Sequence, residues 1–162
     1  MVDNSDIIEI IKLYRKFSKY NSYTDREIAQ SIIPSLSLSQ YKKHYDKDKL
    51  IGFTNWCFLS KDIKTNFLNT GVIKDLDWNT GNNLVFIEFI SSNKVKDIFK
   101  WCINKAKTFN NIEKEFSWIR IDNNKIKRIN KKQLREYNMG KVWKKAKKVV
   151  KKITKPISKI VK

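Results

Sequence analysis

Hydrophobic positions along this chain alternate between helical and strand-like periods. Ile7, Ile10, Ile11, Tyr14 and Phe17 or Ser18 recur at steps of three and four, which marks one helical face. Asp3 or Asp6 suits the positive end of that helix, and Asp6 can cap it. Thr24-Asp25-Arg26-Glu27 is a capping box. It opens a second short helix with Ile28, Ile32 and Ile33 as its apolar face, and Pro34 is expected to stop it. Residues 36–45 are mixed, and Tyr45-Asp46-Lys47-Asp48-Lys49 reads as the polar turn of a hairpin. Residues 50–59 then read as a strand, with Ile51, Phe53, Asn55, Cys57 and Leu59 sharing one face.

Ser60 caps a helix carrying Ile63, Phe67 and Leu68, which ends at Gly71. Residues 77–82 are turn chemistry. Residues 84–90 are apolar apart from Glu88, the pattern of a strand covered on both faces. A helix is predicted over 93–108, with Val95, Ile98, Phe99 and Cys102 inward. Residues 116–121 form another strand, 125–129 its partner, and from Lys131 the chain reads as helical again. No internal repeat is visible. The order predicts a mixed α/β layer fold, with helices covering a central sheet.

Composition adds a division. The formal charge is +19, and residues 141–162 hold ten lysines and no acid. Residues 1–140 therefore read as the folded domain and residues 141–162 as a basic tail. Such a balance favours anionic partners: nucleic acid, anionic lipid or an acidic protein. Within the tail, Val142, Ala146, Val149, Ile153, Ile157 and Ile160 fall on one helical face. Lys144, Lys145, Lys147 and Lys148 cover the other, and Trp143 sits near the start. This pattern fits a helix lying on an anionic membrane surface, or a helix docked on the domain. Nucleic acid is the weaker fit, because the tail has one aromatic residue and no arginine.

Cys57 and Cys102 have no metal-ligand spacing and lie in apolar surroundings, so they read as reduced core residues, and no metal site is expected. The first residues do not form a secretory signal. No apolar run approaches the ~20 residues that span a bilayer. A cytoplasmic protein follows by default, at most peripheral at the inner membrane.

Candidate chemistry is sparse. Glu88 is a carboxylate inside an apolar run, and it must face water, find a partner, stay protonated or line a cleft. In a cleft, a raised pKa would suit it to proton transfer. His44, the one histidine, lies between Lys43 and Tyr45 in a charged turn and reads as solvated surface. No nucleophile elbow, phosphate loop or dinucleotide fingerprint is present.

Five segments in order resemble the RTX toxin-activating lysine acyltransferases, the hemolysin-activating proteins. They are Ile33-Pro34 with Gln40-Tyr41, the run Gly52-Phe53-Thr54-Asn55-Trp56-Cys57-Phe58-Leu59-Ser60, Asp77-Trp78-Asn79-Thr80-Gly81, Phe86-Ile87-Glu88, and Ile119-Arg120-Ile121-Asp122. Order and spacing agree over about residues 13–136. The resemblance implies a GNAT-like acyltransferase fold with a mainly antiparallel sheet. It also implies a fatty acyl group taken from acyl carrier protein and passed to internal lysines of an RTX-type protoxin, with no other cofactor, in a protein that tends to form homodimers. The acidic carrier suits a basic body.

The family's catalytic histidine falls on Tyr20 and its aspartate on Glu88, while Ser91-Ser92-Asn93 replaces a stretch containing Pro and Gly. On this reading Glu88 takes the acceptor's proton, and Tyr20 orients the acyl carbonyl or protonates the leaving thiolate. Arg120 either binds the carrier's phosphopantetheine or supports the sheet. Loss of the histidine also admits a relative that binds toxin or carrier without chemistry, and the tail admits a membrane binder.

Overall fold

The structure is a computed structural model that describes residues 3–110, 112–113, 115–122 and 125–134. The tail residues Trp143, Lys144, Lys145, Lys147 and Lys148, and the tail helix predicted around them, lie outside the described residues.

Helix α1 (Asn4–Tyr14) is capped by Asp3, whose carboxylate accepts from the Ser5 N–H at 2.8 Å. Asp6 therefore does not cap. It lies in the first turn and binds Lys43 Nζ at 2.5 Å, tying α1 to the sheet. A 3-10 turn (Ser18–Tyr20) leads to α2 (Asp25–Ser37), whose capping box forms as predicted. Pro34 does not stop α2. The carbonyl its ring leaves unbonded belongs to Gln30, which is exposed, so water can take that bond. The buried stripe is Ile28, Ile32 and Leu36, at steps of four, and Ile33 points outward.

A hairpin follows: β1 (Tyr41–Asp46) and β2 (Lys49–Leu59). The strand reaches further than the polar composition of residues 41–46 suggests, and in the hairpin turn Lys47 is left-handed, with φ 52°. Helix α3 (Lys61–Thr70) starts at the Ser60 cap and ends at Gly71, whose left-handed φ of 73° favours glycine. Then come β3 (Asn83–Ser91), α4 (Val95–Ala106), β4 (Glu115–Asp122) and β5 (Lys125–Gln133). Where a helix is expected to begin at Lys131, β5 instead continues, with Lys131 and Lys132 opposite Ser117 and Phe116 in the ladder, and the remainder of that expected helix lies outside the described residues.

The sheet order is β1-β2-β3-β4-β5, antiparallel except between β3 and β4, which α4 connects. One face carries α1 and α2 over Phe53, Leu50 and Ile90, with α3 further along over Cys57, Leu59 and Val85. The other face carries α4 over Trp56, Leu84, Phe86 and Phe116. β2 is therefore buried on both faces from Leu50 to Cys57. Cys57 and Cys102 are free and buried, as predicted. In α4, Ile98 and Cys102 point inward and Phe99 packs against the aromatic cluster, whereas Val95 is exposed in the first turn. No helix among the described residues is long and apolar enough to cross a membrane.

β3 departs from a regular strand in two places. It pairs with β4 only from Leu84 to Phe86, opposite Phe116 to Trp118, and beyond that the parallel strands separate. Within the same strand, Ile87 has no partner on β2: Asn55 faces Glu88 and Trp56 faces Phe86.

Candidate functional site

The unpaired Ile87 is a β-bulge, and it decides where Glu88 points. Strict alternation after Leu84 and Phe86 would aim Glu88 at α4. One additional residue reverses the parity. Ile87 packs with the α3 cluster, Phe89 against Phe99 of α4, and Ile90 with α1 and α2. Glu88 thus emerges beneath α1 and the 3-10 turn, where its Oε2 accepts a hydrogen bond from the Tyr20 hydroxyl at 3.2 Å.

Asn55, fully buried on β2, holds the bulge in place. Its Oδ1 accepts from the Glu88 N–H at 2.8 Å, and its Nδ2 donates to Ser35 Oγ of α2 at 3.2 Å. The Ser35 hydroxyl in turn donates to the Ile32 carbonyl at 2.7 Å. The chain of bonds links the sheet to α2 and fixes the backbone under the carboxylate.

Three side chains surround Glu88. Tyr20 is half-buried, and Tyr14, at the end of α1, is buried with its ring centroid 4.6 Å from that of Tyr20. The Tyr14 hydroxyl is buried without a hydrogen-bond partner. Lys19, the residue before Tyr20, places its ammonium 4.4 Å from the centre of the Tyr20 ring. Glu88 keeps some solvent contact, but the protein packed around its carboxyl raises its pKa, against the opposing pull of the Lys19 charge and the Tyr20 bond. Burial, followed by the Glu88 charge, holds the Tyr20 hydroxyl far above the usual tyrosine range, and the same two causes raise Tyr14. Both phenols are therefore neutral donors at any physiological pH. The pair amounts to a carboxylate that can exchange a proton and a hydroxyl that stays protonated beside it.

Of the residues singled out in the sequence, Glu88 and Tyr20 meet although 68 positions apart. Arg120 does not join them. It is exposed on β4, opposite Arg128 and two residues beyond Trp118, so it shares the α4 face with Trp118. His44 is not solvated. It lies in β1 rather than a turn, 9% exposed, with Nε2 3.0 Å from Thr54 Oγ1 and its ring 5.0 Å from that of Trp101. Burial, followed by the Lys42 charge, lowers its pKa to about 4. Asn55, Ser35, Tyr14 and Lys19 were not singled out by sequence. For Asn55 a signal existed, since an Asn inside an apolar strand must have its amide satisfied.

A model of the RTX toxin acyltransferase family matches residues 3–134. This chain belongs to the RTX toxin acyltransferase family. The match covers every described helix and strand, and it ends where the basic tail has yet to begin. No curated protein matches the chain. Among solved structures, the loading GNATL domain of CurA from Lyngbya majuscula has a similar fold, with a TM-score of 0.55 at 12% identity over 71% of this chain. The chain spans 60% of the length of that structure. At that identity the likeness establishes the fold, and it agrees with the GNAT-like architecture expected from the sequence.

Proposed function

We propose that this chain is an acyl-carrier-dependent protein-lysine acyltransferase that modifies internal lysines of an RTX-type protoxin in the cytoplasm. The observation that carries this reading is the bulge-aimed Glu88 carboxylate under the Tyr20 hydroxyl, in a family whose activity is acyl transfer. A lysine acceptor arrives as an ammonium and must lose a proton before it can attack a thioester. Glu88, with its raised pKa, is the group suited to take it. Tyr20 remains a neutral hydroxyl, so its role is to donate a hydrogen bond to the carboxylate or to the thioester oxygen. It is too weak an acid to protonate the departing thiolate, whose protonation falls to Glu88 or solvent. The separation of β3 and β4 beyond Phe86 leaves one edge of each strand unpaired beside this pair, which gives an extended acyl-bearing arm backbone groups to bond.

One observation favours a second reading, a binding protein without chemistry: Tyr20, standing where the family has its histidine, is a donor and not a base. The experiment that separates the two is co-expression of the full chain with an RTX protoxin and acyl carrier protein, followed by mass mapping of the protoxin lysines. Acylated lysines support the transferase. A stable complex with unmodified lysines, under conditions where a working relative modifies them, replaces it with the binding protein.

A further inference from the structure

The acyl-transfer site has a lysine already at its mouth. Lys19 precedes Tyr20 in the 3-10 turn, and its Nζ sits 4.4 Å from the centre of the Tyr20 ring, whose hydroxyl bonds Glu88 at 3.2 Å. Three other lysines are held in ion pairs, and Lys105, which also lies over rings, covers Trp56 and Phe109 on the α4 face. Lys43 is bound by Asp6 and Glu9 at 2.5 and 2.9 Å, Lys64 by Glu115 at 3.1 Å, and Lys94 by Asp46 at 2.7 Å. Each would have to break an ion pair to become a neutral amine. Lys19 enters none of these ion pairs and rests on an aromatic face, a contact that is weak at an exposed position. It is also the foremost positive charge acting on the Glu88 carboxylate.

We propose that Lys19 is an acceptor in its own right: the chain acylates its own Lys19 Nζ from an acyl thioester at the Glu88–Tyr20 pair. This rests on the acyl-transfer reading of the same site. The Nζ–C bond forms as the C–S bond breaks, giving an amide and a free thiol. Of the two protons the ammonium gives up, one passes through Glu88 to the departing thiolate and the other leaves to solvent. The acceptor belongs to the same chain and lies over the ring whose hydroxyl bonds the base, so the step is unimolecular once a donor is bound, and such tethering is a large advantage over an acceptor that must be captured from solution. The reaction limits itself. An amide at Lys19 carries no charge, and its alkyl chain covers the approach to Glu88, so an enzyme loaded with donor but lacking a target would cap its own site.

The test uses the full chain with myristoyl-acyl carrier protein, intact-mass measurement and proteolytic mapping. An RTX protoxin is assayed in a parallel tube. The expected result is a single acyl adduct on Lys19, formed at a rate independent of enzyme concentration. Lys19→Arg keeps the cation but removes the nucleophile and should abolish the adduct. Glu88→Gln should slow its formation at least tenfold. An adduct spread over the surface lysines, or one indifferent to Glu88→Gln, or none on Lys19 while the protoxin is acylated, overturns the inference and leaves the transferase reading standing. If the protoxin stays unmodified as well, the transferase reading fails and the self-acylation falls with it.

Discussion

On the α4 face of the sheet, Trp56, Phe86 and Phe116 pack with Phe99 and Trp118, and the titratable ring near them, His44, is neutral and bonded to Thr54. On the opposite face, under α1 and α2, a carboxylate, two phenols and an ammonium crowd together, and one buried hydroxyl has no partner. Both faces are cores of the same sheet, built from the same strands. They differ in how polarity is treated. The aromatic face neutralises and satisfies its polar ring, which makes it inert. The other face keeps a carboxylate with a raised pKa beside donors, an arrangement that stability alone would not select.

The largest way to test that contrast is Glu88→Gln. Gln keeps the shape and can still accept from Tyr20, but it cannot exchange a proton. Transfer should fall about 10²–10⁴-fold, read as acylated lysine per unit time. Thermal stability should move the other way. A carboxyl whose folded pKa is raised stabilises the fold only while protonated, and that contribution is lost as pH rises through the folded value. The variant should therefore melt above wild type at neutral pH, with the gap closing as pH falls below the ordinary glutamate range. Full activity in Glu88→Gln would make the two faces equivalent and remove the site.

Phe116→Ala probes the inert face. Phe116 is 1% exposed and stacks on Trp118 at 5.5 Å between centroids. Its removal should cost about 3–5 kcal/mol, read by denaturant unfolding. Per folded molecule, transfer should change far less than in Glu88→Gln. A variant with unaltered stability but lost transfer would contradict the division between an inert and a reactive face.

Much of this contrast was legible in the sequence. The capping box at Thr24, the stop at Gly71, the apolar β3 and the isolated Glu88 are local signals, and local signals survive folding. What was not legible depends on register. The bulge at Ile87 shows no composition of its own, yet it alone turns Glu88 toward Tyr20. His44 looked solvated because its sequence neighbours are charged, while its spatial neighbours, Thr54 and Trp101, are brought by β2 and α4. Pro34 misled because its effect depends on surroundings that the sequence does not display: it sits inside α2, and the carbonyl it frees, on Gln30, is at an exposed residue. Lys131 to Gln133 carry no apolar residue, and their strand is set by pairing with β4.

His44 also gives a smaller, pH-dependent difference between the faces. Its folded pKa of about 4 lies below the ordinary value of 6.5, so the unfolded chain binds the proton more readily. The stability this neutral ring provides is complete above pH 6.5 and is lost as pH falls through about 4. His44→Gln should flatten that part of the stability profile, measured by urea unfolding at pH steps across the window. An unchanged slope would place the ring in water.

The smallest effect expected is also the one that asks most directly whether the polar face is strained. Tyr14 is 1% exposed and its ring belongs to the core, in contact with Tyr20 and Phe53, but its hydroxyl is buried without a partner. A buried hydroxyl without a bond loses its hydration and gains nothing in return. Tyr14→Phe keeps the ring, its burial and its aromatic contacts, and deletes only that oxygen. The variant should be more stable by about 1 kcal/mol, or roughly 3 °C in Tm. The sign of the change is decisive. Deleting a satisfied hydroxyl would destabilise by a similar amount, so a lower Tm would mean that the oxygen bonds Glu88 or a trapped water, and that the polar face is as settled as the aromatic one. A higher Tm would mean that the fold tolerates an unmet hydroxyl next to Glu88, as expected of a site shaped for something other than its own stability.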